Sequence, residues 1–184
     1  GSRYDDFALI VCPSSLVYNW KSEIARFAPQ LSAVTVTGSA AERQALIQNA
    51  RQEEILITSY ELLRRDLAYY ENCQFGYQII DEAQYIKNHN TKAARAVKEI
   101  QADFKVALTG TPIENRLSEL WSIFDYLMPG FLYPYKRFRE ELEIPIVSNK
   151  EREPAERLQK MIRPFVLRRL KKDVLKDLPD KMEE

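Results

Sequence analysis

Apolar positions fall into two alternating patterns along the first two thirds of the chain. Phe7-Ala8-Leu9-Ile10-Val11-Cys12 is a short continuous apolar run halted by Pro13, the pattern of a strand buried on both faces. From Leu16 the period changes: Leu16, Trp20, Ile24 and Phe27 recur at helical spacing, with Ser14 or Ser15 placed to cap the start and Pro29 closing the segment. The alternation repeats. Val34 to Thr37, Ile55 to Thr58, Tyr77 to Ile80 and Phe104 to Leu108 read as further strands. Between them, residues 40–50, 61–68 and 91–100 read as helices, the first opened by a Ser39/Glu42 capping box. Strands that lack polar alternation, each followed by a helix, predict an α/β fold with a mostly parallel sheet covered on both faces.

Beyond Pro112 only helical periodicity remains: Leu117, Leu120, Trp121, Phe124 and Leu127-Met128 share one face that ends at Pro129-Gly130. Residues 131–184 are rich in charge, aromatics and proline, with short helices predicted near Tyr135 to Leu142, Ala155 to Ile162 and Val166 to Leu175. The expected organisation is therefore one α/β lobe over residues 1–130 followed by a helical appendage over 131–184. There is no internal repeat and no low-complexity segment.

Composition narrows the classes. With 45% hydrophobic residues the 184-residue chain can bury a sizeable core, and its 27 basic and 27 acidic residues cancel. No global positive field advertises nucleic acid, so any such contact is local. Cys12 and Cys73 have no histidine cluster or second pair to complete a zinc site and read as reduced structural thiols. No apolar run is long enough to span a bilayer and no signal pattern opens the chain, which predicts a soluble, cytoplasmic protein without membrane contact. Gly1-Ser2 reads as an expression remnant, which makes Arg3 an artificial boundary.

In an open parallel sheet, functional groups gather beyond the carboxyl ends of the strands. Four polar clusters lie there: Pro13-Ser14-Ser15, Thr58-Ser59-Tyr60, Asp81-Glu82-Ala83-Gln84 and Thr109-Gly110-Thr111-Pro112. An aspartate at a strand end can hold Mg²⁺ through water, because this ion keeps most of its hydration shell, and a neighbouring glutamate can orient an attacking water. Taken alone, the acid pair equally describes a solvated strand end, and the hydroxyl residues describe helix caps more readily than ligand contacts.

The motifs together carry more. Asp81-Glu82-Ala83-Gln84, a DEAQ box, continues as Ile86-Lys87-Asn88 and is followed by Ala107-Leu108-Thr109-Gly110-Thr111-Pro112-Ile113-Glu114-Asn115. This resembles motifs two and three of the Swi/Snf-type ATP-dependent DNA translocases of helicase superfamily two. Leu9 to Leu16 with Asn19-Trp20, Ile57-Thr58-Ser59-Tyr60, the Leu117 to Leu127 segment and Arg163-Pro164-Phe165-Val166-Leu167-Arg168-Arg169 resemble further segments of that family in its order. The resemblance implies the first RecA-like lobe of such a motor, an incomplete P-loop NTPase lobe with a helical protrusion that leads towards the linker to the second lobe.

It further implies ATP and Mg²⁺ as cofactors of the complete motor. Asp81 would face magnesium, Glu82 would activate water, Asp81, Glu82 and Gln84 would meet the nucleotide, and Gln84, Thr109, Gly110 and Thr111 would couple hydrolysis to movement. Ser14, Ser15, Thr58, Ser59 and Tyr60 would lie along double-stranded DNA, binding phosphate without reading bases. The family often has histidine where Gln84 stands, and glutamine can likewise donate and accept hydrogen bonds.

Other residues read more plainly. Trp20 and Trp121 are expected to fill cores, and His89, in the polar stretch Asn88-His89-Asn90-Thr91, is expected to be an exposed loop residue with no role. The basic run Arg168-Arg169-Leu170-Lys171-Lys172 describes either a solvated helix face or a phosphate contact. A phosphate cradle needs a glycine-rich turn followed by lysine; Gly1, Gly38, Gly76, Gly110 and Gly130 are the only glycines, and none precedes a lysine. The chain alone is thus expected to be inactive, and the open side of its sheet to favour self-association. The expected partners are double-stranded DNA and the second RecA-like lobe of the same parent, in a bacterial cytoplasm or nucleoid, or a nucleus in a eukaryote. Two rivals remain: a non-catalytic nucleic-acid or protein interaction module descended from such a lobe, and a strand-separating helicase of the same superfamily.

Overall fold

The computed structural model describes residues 7–51, 54–110 and 116–166. Two compact units divide the chain, Gly1–Tyr135 and Lys136–Glu184. The first is built on β1 (Ala8–Cys12), β2 (Ser32–Thr35), β3 (Glu54–Ser59), β4 (Phe75–Ile80) and β5 (Ala102–Ala107). They form one sheet in the order β2-β3-β1-β4-β5 with every pair parallel. This is the α/β parallel sheet that the apolar runs predict. β1 and β3 are buried along their whole length because both lie inside the sheet and beneath helices.

Helix α1 (Val17–Phe27) follows β1, and α2 (Ala40–Gln48), α3 (Tyr60–Asp66) and α4 (Lys92–Glu99) follow β2, β3 and β4. Cys12, Ile10, Ala8, Ile55 and Ile57 pack with Trp20 and Ile24 of α1 on one face. On the other face Leu9, Val11, Leu56 and Ile80 pack with Ile47, Leu63 and Val97, and with Ile123 and Tyr126 of α5 (Leu117–Leu127). The chain therefore leaves β1 towards one face and β4 towards the other. A crevice opens where neighbouring strands send their helices to opposite sides.

Local chemistry sets the helix ends. Ser39 accepts from the Glu42 amide at 3.2 Å and donates to its carboxylate at 3.2 Å, so α2 is capped as expected, although by a different pairing than the reciprocal box. Ser14 and Ser15 do not cap α1. They stand exposed in a 3₁₀ turn (Ser14–Leu16), and α1 begins at Val17 with Leu16 at its N-cap and no side-chain cap. Gly38, at φ 98°, holds a turn in which a Cβ would meet the Glu42 carboxylate at 2.5 Å. Beside it the buried Arg43 guanidinium donates to both Asp66 oxygens, at 2.8 and 2.9 Å, and to the Gly38 carbonyl at 2.8 Å. This planar fork ties α2 to α3.

In the second unit α6 (Tyr135–Phe138), a π turn (Arg139–Glu143), α7 (Ile144–Val147) and α8 (Arg152–Ile162) bury Phe138, Leu142, Leu158 and Ile162. Pairs one turn apart, Arg137–Glu141 and Arg157–Glu153 among them, line its surface. Residues 167–175 of the last predicted helix, and with them the basic run at 168–172, lie outside the described residues. No described helix is long and apolar enough to cross a membrane.

Among the described residues β5 pairs with β4 alone. The register sets Tyr77 beside Phe104 and Ile79 beside Val106, on the face that α1 covers only over the β1 half. Tyr77 and Phe104 stack at 5.5 Å, and Phe104 is 61% exposed.

Two outcomes are expected. Asp66→Ala leaves the Arg43 charge buried and unpaired, at a cost of about 3–5 kcal/mol in urea unfolding; a loss within experimental error of zero contradicts the tie. The mass of the chain measured by light scattering is expected to rise with concentration and Phe104→Lys to suppress that rise, whereas a constant monomeric mass counts against the edge as a sticking surface.

Candidate active site

β4 ends at Ile80, and its continuation is fixed at once. The Asp81 amide donates to the Val11 carbonyl at 2.8 Å, and the Leu108 amide donates to the Ile80 carbonyl at 2.8 Å. Asp81 and Glu82 thus cap an interior strand, flanked by the ends of β1 and β5. Glu82 then takes a left-handed conformation, φ 53° and ψ 54°, uncommon for any residue but glycine, asparagine or aspartate. Two bonds hold it there. Its amide donates to Asp81 Oδ1 at 2.8 Å, and the next amide, of Ala83, donates to the Leu108 carbonyl at 2.8 Å. The turn that follows, Ala83–Ile86, is held from α5, where the buried Ser122 hydroxyl donates to the Ile86 carbonyl.

The left-handed step brings three predicted side chains into line. Gln84 Nε2 donates to Glu82 Oε2, and the Thr109 hydroxyl donates to Gln84 Oε1 at 3.1 Å. All are half-buried, so the chain of bonds borders an opening rather than the core. Gly110 follows Thr109 and is exposed, with no atom of the described residues within 4 Å of where a Cβ would stand. Thr111 lies outside the described residues.

The hydroxyl cluster at the end of β3 turns inward. Thr58 is fully buried, and Ser59, 3% exposed, caps α3 by accepting from the Leu62 amide at 3.1 Å. Tyr60, 4% exposed, donates its hydroxyl to the Asp81 carbonyl at 2.6 Å and stacks on Tyr85 at 5.0 Å. Burial, with the Asp81 charge second, pushes the Tyr60 phenol well above its ordinary range. The side chains of Thr58, Ser59 and Tyr60 are committed to the interior, which leaves backbone groups rather than hydroxyls to face a ligand there. Ser14 and Ser15 are exposed at the end of β1.

Two residues carry more than the sequence reading gave them. Trp20, taken for a core filler, does pack against the sheet, but its indole N–H also donates to Asp81 Oδ2 at 2.9 Å. His89, taken for an exposed loop residue, is half-buried, with its ring 4.9 Å from both Trp121 and Tyr135. No local signal marks either contact, since the partners of Trp20 and Asp81 are 61 positions apart.

As a cation site the arrangement has a definite character. Among the described residues no group of three or more His, Cys, Asp or Glu side chains gathers. Two adjacent carboxylates fit an ion that retains water and takes phosphate oxygens for its remaining ligands, as Mg²⁺ does, and do not fit a closed protein cage. Asp81 accepts one bond on each oxygen and keeps further lone pairs for bound water.

Cys12 closes the floor of the site. It is fully buried, with its thiol 3.8 Å from the Thr58 carbonyl. Burial, with the Asp81 charge second, pushes the thiol up to about 12 from an ordinary value of 9.0. The folded chain then keeps a proton that the unfolded chain loses, so this contribution is constant below the unfolded value and falls as pH rises towards the folded one. Urea unfolding from about pH 8 to pH 11 is expected to show a steeper stability loss for the native chain than for Cys12→Ala; equal slopes contradict a protonated, buried thiol.

The chain is similar to known proteins along nearly all of its length. A family model described as the SNF2-related domain matches residues 2–184. The TATA-binding protein-associated factor MOT1 of Saccharomyces cerevisiae is 44% identical over 186 residues, covering 95% of this chain and 10% of the yeast protein. An uncharacterized ATP-dependent helicase of Mycoplasma genitalium is 44% identical over 175 residues, covering 95% of this chain and 16% of that protein. Among solved structures, the Sulfolobus solfataricus SWI2/SNF2 ATPase core in complex with dsDNA superposes with a TM-score of 0.82 at 38% identity, covering 96% of this chain and 37% of that one. The chain thus spans only a small part of the relatives it matches.

Proposed function

The chain belongs to the SNF2-related domain family, and on that premise we propose that it is the acid-pair part of the first RecA-like lobe of a motor that uses ATP hydrolysis to move along double-stranded DNA. The observation that carries this reading is the chain of bonds from Thr109 through Gln84 to Glu82, laid beside Asp81 at the end of an interior strand. Hydrolysis of a terminal phosphate requires a positioned water and relief of negative charge. Asp81 would hold magnesium, and the ion, when bound, would neutralise charge on the phosphates. Glu82 has Oε2 engaged by Gln84, which leaves Oε1 to orient the attacking water.

Gln84 is the coupling residue. It bonds at once to the acid before it and to the turn after β5, so a displacement of Thr109 and Gly110 changes the orientation of Glu82. Thr111 extends that turn in the sequence. Ser14 and Ser15 supply hydroxyls and amides to a phosphate of the duplex, in keeping with their exposure. Such contacts read no bases, which suits a protein that tracks along DNA. A dsDNA complex is known for the similar archaeal ATPase core. The second lobe of the same parent is the partner that completes the nucleotide site from across the cleft.

The complete motor is expected to hydrolyse ATP faster with duplex DNA, and Glu82→Gln to lower that rate about 10²-fold or more while ATP still binds. Ser14→Ala with Ser15→Ala is expected to raise the half-saturating DNA concentration and leave the unstimulated rate in place. A rate indifferent to duplex, or an intact rate in Glu82→Gln, overturns the reading. The 184-residue chain has no glycine-rich phosphate loop and is expected to bind no ATP at micromolar concentrations in calorimetry.

A further inference from the structure

Trp20 is the fourth residue of α1, one turn beyond the exposed Ser14–Leu16 turn. Its ring is half-buried against the cluster of Ala8, Ile10, Cys12 and Ile57, so the seating of α1 on the sheet determines where the indole N–H points. That N–H reaches Asp81 Oδ2 at 2.9 Å. Asp81 Oδ1 is taken by the Glu82 amide, and the Asp81 carbonyl is taken by Tyr60. Among the described residues, the rotation of the carboxylate about its own side chain is therefore fixed from outside the 81–84 segment by one donor, Trp20.

The chemistry of that donor matters. An arginine or lysine in the same place would orient the carboxylate and also cancel its charge. An indole offers a single neutral donor, so it orients the acid while leaving the negative charge for a cation. Its helix begins directly after Ser14 and Ser15. A ligand that shifts that turn shifts the start of α1 and with it the indole.

We propose that Trp20 is the positioning residue of the acid pair, setting the orientation of the Asp81 carboxylate and passing displacement of the Ser14–Ser15 turn to it. This rests on the reading of Asp81 as the acid that faces magnesium and phosphate. The device is mechanical: the duplex-contact end of β1 and the carboxylate at the end of β4 are joined across the crevice by one side chain. It makes hydrolysis sensitive to DNA by a route separate from the Gln84–Thr109 bonds.

Two measurements test it. The ¹⁵N-labelled chain has two indole N–H signals, from Trp20 and Trp121, which Trp121→Phe assigns. Asp81→Ala is expected to move the Trp20 signal and leave that of Trp121, which reports an intact fold; an unmoved Trp20 signal overturns the bond. A short DNA duplex is expected to move the Trp20 signal in the unaltered chain and not in Ser14→Ala with Ser15→Ala.

In the complete motor, Trp20→Phe keeps an aromatic body and loses the donor. It is expected to lower kcat several-fold and raise the Mg²⁺ concentration needed, with half-saturating DNA unchanged. An unchanged kcat and Mg²⁺ requirement overturns the proposal. If Asp81→Ala itself keeps full duplex-stimulated hydrolysis, the functional reading of Asp81 fails, whereas the indole signal still reports on the bond alone.

Discussion

Asp81 is bonded to three of the elements that surround the end of its strand. Its amide goes to Val11 of β1, its carbonyl is held by Tyr60 at the start of α3, and its carboxylate takes Trp20 of α1 and the Glu82 amide. Such convergence is possible because β4 is an interior strand whose neighbours send their helices to opposite faces. With the backbone of Asp81 pinned at both ends, Glu82 has little freedom in where it starts. The orientation of every later group in the acid-pair segment follows from that start.

Glu82 illustrates how a local cost serves the site. A left-handed backbone at a residue with a side chain costs roughly 1–3 kcal/mol and persists only where the surroundings impose it. Here the surroundings are two amide bonds, one to Asp81 Oδ1 and one to Leu108, together with the grip of Ser122 on Ile86. An ordinary right-handed step would carry the chain straight into a helix and point Gln84 away from the end of β5. The strained step turns it back, so that Gln84 sits between Glu82 and Thr109.

The layout of strands and helices was largely legible in the sequence because two-sided burial leaves uninterrupted apolar runs, as in residues 7–12 and 55–58. The acid pair and its proximity to Thr109 were legible through the order of several motifs, since consecutive parallel strands place their ends side by side. The fate of Thr58, Ser59 and Tyr60 was not. A hydroxyl at a strand end has the same local pattern whether it caps a helix or meets a ligand, and only the packing of α3 decides. Trp20 and His89 escaped for a related reason: each contact depends on which helix faces which loop, and neither has a sequence neighbour that announces it.

β5 has one neighbour among the described residues, whereas β1, β3 and β4 each have two. Local opening of a protein follows such differences, with the least-supported strand parting at the lowest free energy and the doubly paired ones only on global unfolding. Thr109 hangs two residues beyond the end of β5, while Glu82, to which it is linked through Gln84, stands two residues beyond the end of β4. The support is therefore uneven across the crevice: the acid pair follows a strand paired on both sides, and Thr109 follows one that, among the described residues, is paired on one side only, as β2 is at the far edge. A small strain at that rim is taken up first by β5, and reaches Glu82 only along the bonds through Gln84.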